Sequence, residues 1–324
     1  MNGIIAPTQQ LYKPPFPWYG GKSRAAELVW DRLGPVGNYV EPFFCSGAVL
    51  FLRPDDPKTE TVNDEDAYLA NFWRAVQADP EAVAHHADWP VNEVDLIARN
   101  RSLIALRDDF RQRMVDDPEH CDAKLAGWWV WGQSAWIGSG WATGDHSQIP
   151  HLGNAGKGVN RLPHLGDAGQ GVNRLPHLGN AGQGVNHLTE YLAGIADRLR
   201  FVRVCCGDWM RVLGPSVTFK HGITGVFLDP PYSAEAERDG NLYAEEDLTV
   251  AHAVREWAIA NGSNPKLRIA LCGYDGEHAM PDEWRVEFWK ANGGYANRGN
   301  GKNQNKHREC IWFSPHCLIE EKLF

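Results

Sequence analysis

Apolar residues along this chain fall into two patterns: short β-prone runs that stop at turn residues, and longer stretches with helical spacing. Residues 38 to 54 read as strand, glycine-containing turn and helix: Asn38 to Phe43, then Phe44-Cys45-Ser46-Gly47, then Ala48 to Leu52. A second short strand ends at Thr61-Val62-Asn63-Asp64, and a helix from Asp66 through about Val76 follows it. The alternation resumes with strands at Phe201 to Cys206 and Gly225 to Leu228, a helix near 247 to 260, and a strand at Leu267 to Leu271. Two late strands, Arg285 to Trp289 and Glu309 to Phe313, close the pattern, the last as an ordinary closing strand. Strands alternating with helices predict an α/β fold, a doubly wound sheet with helices on both faces.

A different segment separates the two halves of this pattern. Residues 91 to 136 have helical spacing and end in Trp128-Trp129-Val130-Trp131, with Trp136 and Trp141 just beyond. Such a cluster reads first as the core of a small domain, and second as a source of stacking rings. Residues 148 to 186 are three tandem copies of a thirteen-residue unit, whose glycine, proline and asparagine content rules out a helix. One reading makes the repeats a loop lengthened by duplication. The other makes them a DNA-facing loop charged by Lys157, Arg161 and Arg174. The expected division is a catalytic first half at 1–78, an inserted, mostly helical unit at 79–198, and a catalytic second half at 199–324.

Composition narrows the classes. With 324 residues the chain can bury a large core, and no apolar run is long enough to span a bilayer, so a cytoplasmic protein is the default. The seven cysteines lack metal-ligand spacing and read as reduced, buried residues; the recurring His151, His164 and His177 have no metal-site logic either. A net charge of −9 argues against indiscriminate nucleic-acid binding. It leaves room for a local basic groove, and Arg285, Lys290, Arg298, Lys302, Lys306 and Arg308 cluster around the Gly/Asn-rich stretch 292 to 305. That cluster reads equally as a phosphate-facing patch or a solvated loop.

The most informative run is Gly225-Val226-Phe227-Leu228-Asp229-Pro230-Pro231-Tyr232. The prolines end the strand and fix the backbone, which puts Asp229 at the carboxyl end of a central strand, where open α/β sheets bind ligands. A carboxylate, the Pro230 carbonyl and the Tyr232 ring together suit a planar amine: two acceptors and one face. Three further segments fit beside it. Trp18-Tyr19-Gly20-Gly21-Lys22 is a loop leading into a helix from Ser23, with glycines for close approach and a lysine able to meet a carboxylate. Glu41-Pro42-Phe43 to Gly47 and Asn63-Asp64 are strand-end turns suited to a cofactor's polar groups, Asp64 standing where such proteins grip ribose hydroxyls. Gly207-Asp208-Trp209 follows the resumed strand and can accept from an adenine amine.

Together these motifs resemble the Dam-type DNA adenine-N6 methyltransferases of the alpha arrangement, in which a target-recognition domain interrupts the catalytic domain. The resemblance runs from about Trp18 to Phe313 and rests on Trp18 to Lys22, Val40 to Gly47, Asn63-Asp64 and Asp229 to Tyr232. It implies a Rossmann-like methyltransferase sheet with S-adenosyl-L-methionine as cofactor. It also implies double-stranded DNA as partner, and a monomer able to pair transiently on DNA. Such enzymes are bacterial or phage-encoded and act alone or beside a restriction nuclease. Cofactor contacts are implied for Trp18, Tyr19, Gly20, Gly21 and Lys22, for Glu41, Pro42, Phe43, Cys45 and Gly47, and for Asp64, Asp208, Trp209 and Asp229. The Glu41 to Gly47 turn would wrap the methionine part. The resemblance makes Asp229, Pro230 and Tyr232 catalytic, with no metal. Lys157, Arg161, Arg174, Arg298, Lys302 and Lys306 are the expected nucleic-acid contacts. Cys45 departs from the family, which has a glycine there, and a side chain narrows the turn. Two rival readings keep the fold: transfer to cytosine N4 or to an RNA adenine, and a catalytically silent DNA-binding module.

Overall fold

Four α-helix starts are written by short polar side chains that cap the first turn. Asp66 accepts hydrogen bonds from the Tyr68 and Leu69 amides and opens α3 (Ala67–Ala78). Asp79 accepts from Ala82 and, with Pro80 in the first helical position, opens α4 (Pro80–Ala87). Asn92 and Asp122 do the same for α5 (Glu93–Asp116) and α6 (Ala123–Ala135). The other helices are α1 (Ala26–Leu33), α2 (Ala48–Phe51), α7 (Gly184–Leu199) and α8 (Val250–Gly262). This computed structural model describes residues 12–16, 18, 21–56, 58–136, 140–143, 184–231, 250–289 and 309–319, with side chains of α7 described from 188.

The strands are β1 (Asn38–Glu41), β2 (Thr59–Asp64), β3 (Val202–Cys206), β4 (Thr224–Leu228), β5 (Leu267–Tyr274), β6 (Arg285–Phe288) and β7 (Glu309–Phe313). They form one seven-stranded sheet in the order β3-β2-β1-β4-β5-β7-β6. The first five are mutually parallel, and β7 pairs antiparallel with both β5 and β6. The architecture is the Rossmann-like methyltransferase fold expected from the sequence, and the observed strands fall where its runs placed them. One expectation fails: the repeat unit was read as incompatible with a helix, yet its final residues, Gly184 to Asn186, form the first turn of α7. Glycine and asparagine are tolerated at a helix start, where the amides need no intrahelical partner.

Both faces are covered at the middle of the sheet, so β4, β5 and β7 are mostly apolar and almost wholly buried. Val226, Leu228, Ile269, Leu271 and Trp312 face α8. Phe227, Ala270, Cys272, Ile311 and Phe313 face the other core, which continues through α1 and α3 into α4, α6 and α7. In chain order α4 to α7 stand between α3 and β3. A buried ion cluster ties α7 to the sheet: Glu60 of β2 pairs with Arg198 of α7 at 2.6 Å and with Arg53 at 3.0 Å. Arg198 also donates to the Leu50 carbonyl and Arg53 to that of Val36, so both guanidinium groups are further satisfied.

Glu60→Ala would leave two buried cations without their shared carboxylate. The expected loss is about 3–5 kcal/mol of unfolding free energy by urea titration. A loss under about 1 kcal/mol would mean that the cluster does not fasten α7 to the sheet.

Candidate functional site

The site forms where the parallel strands stop. Chain order reverses between β1 and β4, and at such a switch point the loops diverge and leave a crevice. Asn63 and Asp64, at the end of β2, organise its walls. Asn63 Nδ2 donates to the Pro42 carbonyl at 3.1 Å and to the Gly207 carbonyl at 2.8 Å, joining the ends of β1 and β3 through β2. Asp64 Oδ2 accepts from the Cys45 amide and Oδ1 from the Asp66 amide, both at 3.0 Å. The turn after β1 is therefore pinned from below. Trp73 of α3 adds a bond from Nε1 to the Cys45 carbonyl at 3.1 Å.

Within that turn Cys45 has φ 48° and Gly47 φ 70°. A Cβ at Gly47 would lie 2.6 Å from Phe51 Cε2 and 2.9 Å from Phe44 Cζ, so glycine is required there. Cys45 occupies the left-handed region that a side chain enters at an energetic cost. Its thiol, raised well above the ordinary range by burial and by the Asp64 and Asp229 carboxylates, lines the crevice without closing it.

The crevice encloses about 730 Å³ including its open mouth. Of the residues expected from sequence, Trp18, Pro42, Phe43, Cys45, Asp64, Trp209 and Asp229 line it. Phe43 and Trp209 face each other across 6.2 Å at 28°, offering two nearly parallel ring faces. Glu41, Gly47, Asp208, Gly21 and Pro230 are not in the lining. Glu41 is buried beneath it, where Oε2 accepts from the Tyr39 hydroxyl at 2.9 Å and desolvation raises its pKa well above the usual range. Asp208 is exposed and caps the turn at Met210, while its neighbours Gly207 and Trp209 reach the crevice. Gly21 is exposed and its amide donates to the Trp18 carbonyl at 3.3 Å.

Asp229 follows β4 directly and opens onto the crevice with 15% of its side chain exposed. Lys22 Nζ meets Asp229 Oδ1 at 2.9 Å and stands 4.0 Å from Glu309 Oε2. The lysine backbone is held too, since its carbonyl accepts the Ala25 and Ala26 amides at the start of α1. Its ammonium also lies 5.8 Å from the Trp289 ring. Glu309 is the group that sequence reading missed. Because β7 runs against its neighbours, with Glu309 opposite Tyr274, its first residue arrives at the edge where β1 to β5 deliver their last. Burial raises the Glu309 pKa, and Lys22 pulls it back. The available signal was an acid at the head of the otherwise apolar run Glu309-Cys-Ile-Trp-Phe313. Glu65, Asp66, Asn63, Pro231 and Val250 also line the crevice and were not singled out as site residues.

Tyr19, Gly20 and Tyr232 lie outside the described residues, as do Lys157, Arg161, Arg174, Arg298, Lys302 and Lys306. Among those that are described, the crevice gathers Asp64, Glu65, Asp66 and Asp229 with Lys22 behind Asp229. Such a surface favours a ligand with hydroxyl or amine donors, a flat ring and positive charge.

Residues 18–123 match the family described as D12 class N6 adenine-specific DNA methyltransferase. The match takes in the turn after β1, the Asn63-Asp64 clamp and helices α3 to α5, and it supports the resemblance carried by the motifs. No curated protein matches the chain.

Burial, opposed by the amide of Cys45, and the nearby Asp66 and Glu65 charges bring the Asp64 pKa from 3.8 to about 7. Between these values the folded protein holds a proton that the unfolded chain has released. The Asp64 contribution to stability therefore falls as pH rises through this window. Unfolding midpoints of wild type and Asp64→Asn, taken at intervals from about pH 4 to 8, should diverge against the wild type as pH rises. A difference that stays flat would place the Asp64 carboxyl in a solvated setting.

Proposed function

We propose that this chain, whose residues 18–123 carry the D12 class methyltransferase match, is a site-specific enzyme methylating N6 of a flipped-out adenine in DNA. The observation that carries the reading is Asp229 at the tip of β4, fixed by Lys22 at 2.9 Å and facing the crevice beside the β1 turn. The crevice residues suit S-adenosyl-L-methionine by their chemistry. Phe43 and Trp209 offer ring faces to an adenine, Asp64 an acceptor for ribose hydroxyls, and the surrounding carboxylates an attractive field for a sulfonium. In this reading Trp18, Cys45 and the Glu41 to Gly47 turn enclose the methionine part, with Asp208 at the rim toward the cofactor's adenine. When bound, that cofactor supplies a methyl group on positively charged sulfur.

The chain's own task is then positional. An adenine within a duplex lies out of reach of the crevice, so it must be swung out at a cost of roughly a few kcal/mol. Stacking on Tyr232 would return about 1–3 kcal/mol. Asp229 and the Pro230 carbonyl would accept the two amine hydrogens, directing the nitrogen lone pair toward the donor. Lys22, whose ammonium also stands 4.0 Å from Glu309, holds the Asp229 carboxylate in place. No metal is required, because placement and fixed charge supply the acceleration. The insertion at 79–198 is assigned target recognition, with Lys157, Arg161, Arg174, Arg298, Lys302 and Lys306 as contacts to double-stranded DNA. The chain is read as a monomer that can pair transiently on DNA. No described helix is long and apolar enough to cross a membrane, and a cytoplasmic setting accords with a DNA substrate.

Purified protein, duplex DNA and methyl-labelled S-adenosyl-L-methionine should yield N6-methyladenine on nucleoside digestion. Asp229→Ala should lower the rate at least about a hundredfold with folding intact. Label on cytosine, or only on RNA, would redirect the assignment to those acceptors. Tight DNA binding without transfer would leave a silent module of the same fold.

A further inference from the structure

A second cleft, of about 750 Å³, lies among α4, α5 and α6, and its lining includes His85, His86, Trp89, Arg99, Lys124 and Trp128. Arg99 is only 8% exposed. Its guanidinium carbon lies 4.3 Å from the Trp131 ring centroid, 5.4 Å from that of Trp128 and 5.5 Å from that of Trp89. Its hydrogen bond among the described residues goes to the His86 carbonyl at 3.4 Å, and no described carboxylate lies within ion-pair distance. Asp95, also at the cleft, instead accepts from Trp89 Nε1 and Asn92 Nδ2 through Oδ2, both at 2.6 Å. Indole faces offset part of the desolvation of a buried guanidinium, but an anion would offset more.

The rest of the cleft repeats this bias. Exposed Lys124 holds its ammonium 4.7 Å from the Trp128 ring centroid, adding a second cation. Trp89 leaves 47% of its surface open. It is nonetheless fixed at both ends, by its own bond to Asp95 and by its carbonyl, which accepts Trp131 Nε1 at 2.8 Å. A rigid, open aromatic face beside two cations, Arg99 and Lys124, against the one lining carboxylate, Asp95, which acts on Arg99 through space, matches an anionic group attached to a flat ring.

We propose that this cleft is a second nucleic-acid contact that seats one nucleotide unit, its phosphate toward Arg99 and Lys124 and its base on the Trp89 indole. The inference rests on DNA as substrate, but uses residues apart from the methyl-transfer crevice. Affinity for a labelled duplex, measured across a salt series, tests it in wild type, Trp89→Ala, Lys124→Ala and Arg99→Gln. Trp89→Ala should weaken duplex binding about tenfold. Lys124→Ala should lower the slope of log affinity against log salt by about 0.9. In both, S-adenosyl-L-methionine affinity by calorimetry should stay within twofold of wild type, which separates the effect from misfolding. These two positions keep the test decisive if Arg99→Gln, a buried change, fails to fold. Free dAMP, titrated separately, should bind at least about a hundredfold more weakly than the duplex. Wild-type duplex affinity and salt slope in both surface variants would overturn the inference, as would dAMP binding as tight as the duplex. Absence of methyl transfer alongside variant-sensitive DNA binding would instead remove the proposed activity and leave this contact standing.

Discussion

Strands that run parallel and end together leave their terminal carbonyls and amides without ladder partners, and something must fasten that edge. Here two adjacent side chains do so. The Asn63 amide joins the Pro42 and Gly207 carbonyls, and the Asp64 carboxylate takes the Cys45 and Asp66 amides. The crevice, its paired rings and the left-handed turn at Cys45 all inherit their positions from this clamp. A family glycine at that position is physically intelligible, because the backbone there has φ 48° and accepts glycine with the least strain.

The second constraint is charge. Glu41, Asp64, Asp229 and Glu309 converge on one edge of the sheet, and burial raises the pKa of Glu41, Asp64 and Glu309. Lys22 stands between Asp229 and Glu309 and supplies the counter-charge on which both draw. The lining carboxylates Glu65, Asp66 and Asp229 supply acceptors suited to an amine and a field suited to a sulfonium. Reversal of a single strand, β7, brings Glu309 to the same edge of the sheet. The antiparallel finish of the sheet thus contributes directly to the site.

Much of this was legible in the chain itself. The central strands β4 and β5 are covered on both faces, so their apolar runs were plain at Val226 to Leu228 and Leu267 to Leu271. Asp229, Asp64 and the β1 turn were legible because carboxylates and prolines that halt such runs have few other reasons to be there. Glu309 was not, since its importance comes from strand direction, and direction depends on pairing rather than on local pattern. Nor did Asn63 stand out from Asp64, because its role is to bridge carbonyls 21 and 144 residues away. Gly184 to Asn186 misled by composition: the start of α7 is fixed by the apolar helix that follows, not by the repeat it borrows from.

The central claim is that the crevice clamped by Asn63 and Asp64 receives the methyl donor. Ultraviolet cross-linking of methyl-labelled S-adenosyl-L-methionine, followed by peptide mapping, locates that donor without requiring turnover. The account predicts label on peptides containing Trp18, residues 42 to 45 or Trp209, suppressed by excess S-adenosylhomocysteine. Competed label confined to peptides outside the crevice lining would contradict it.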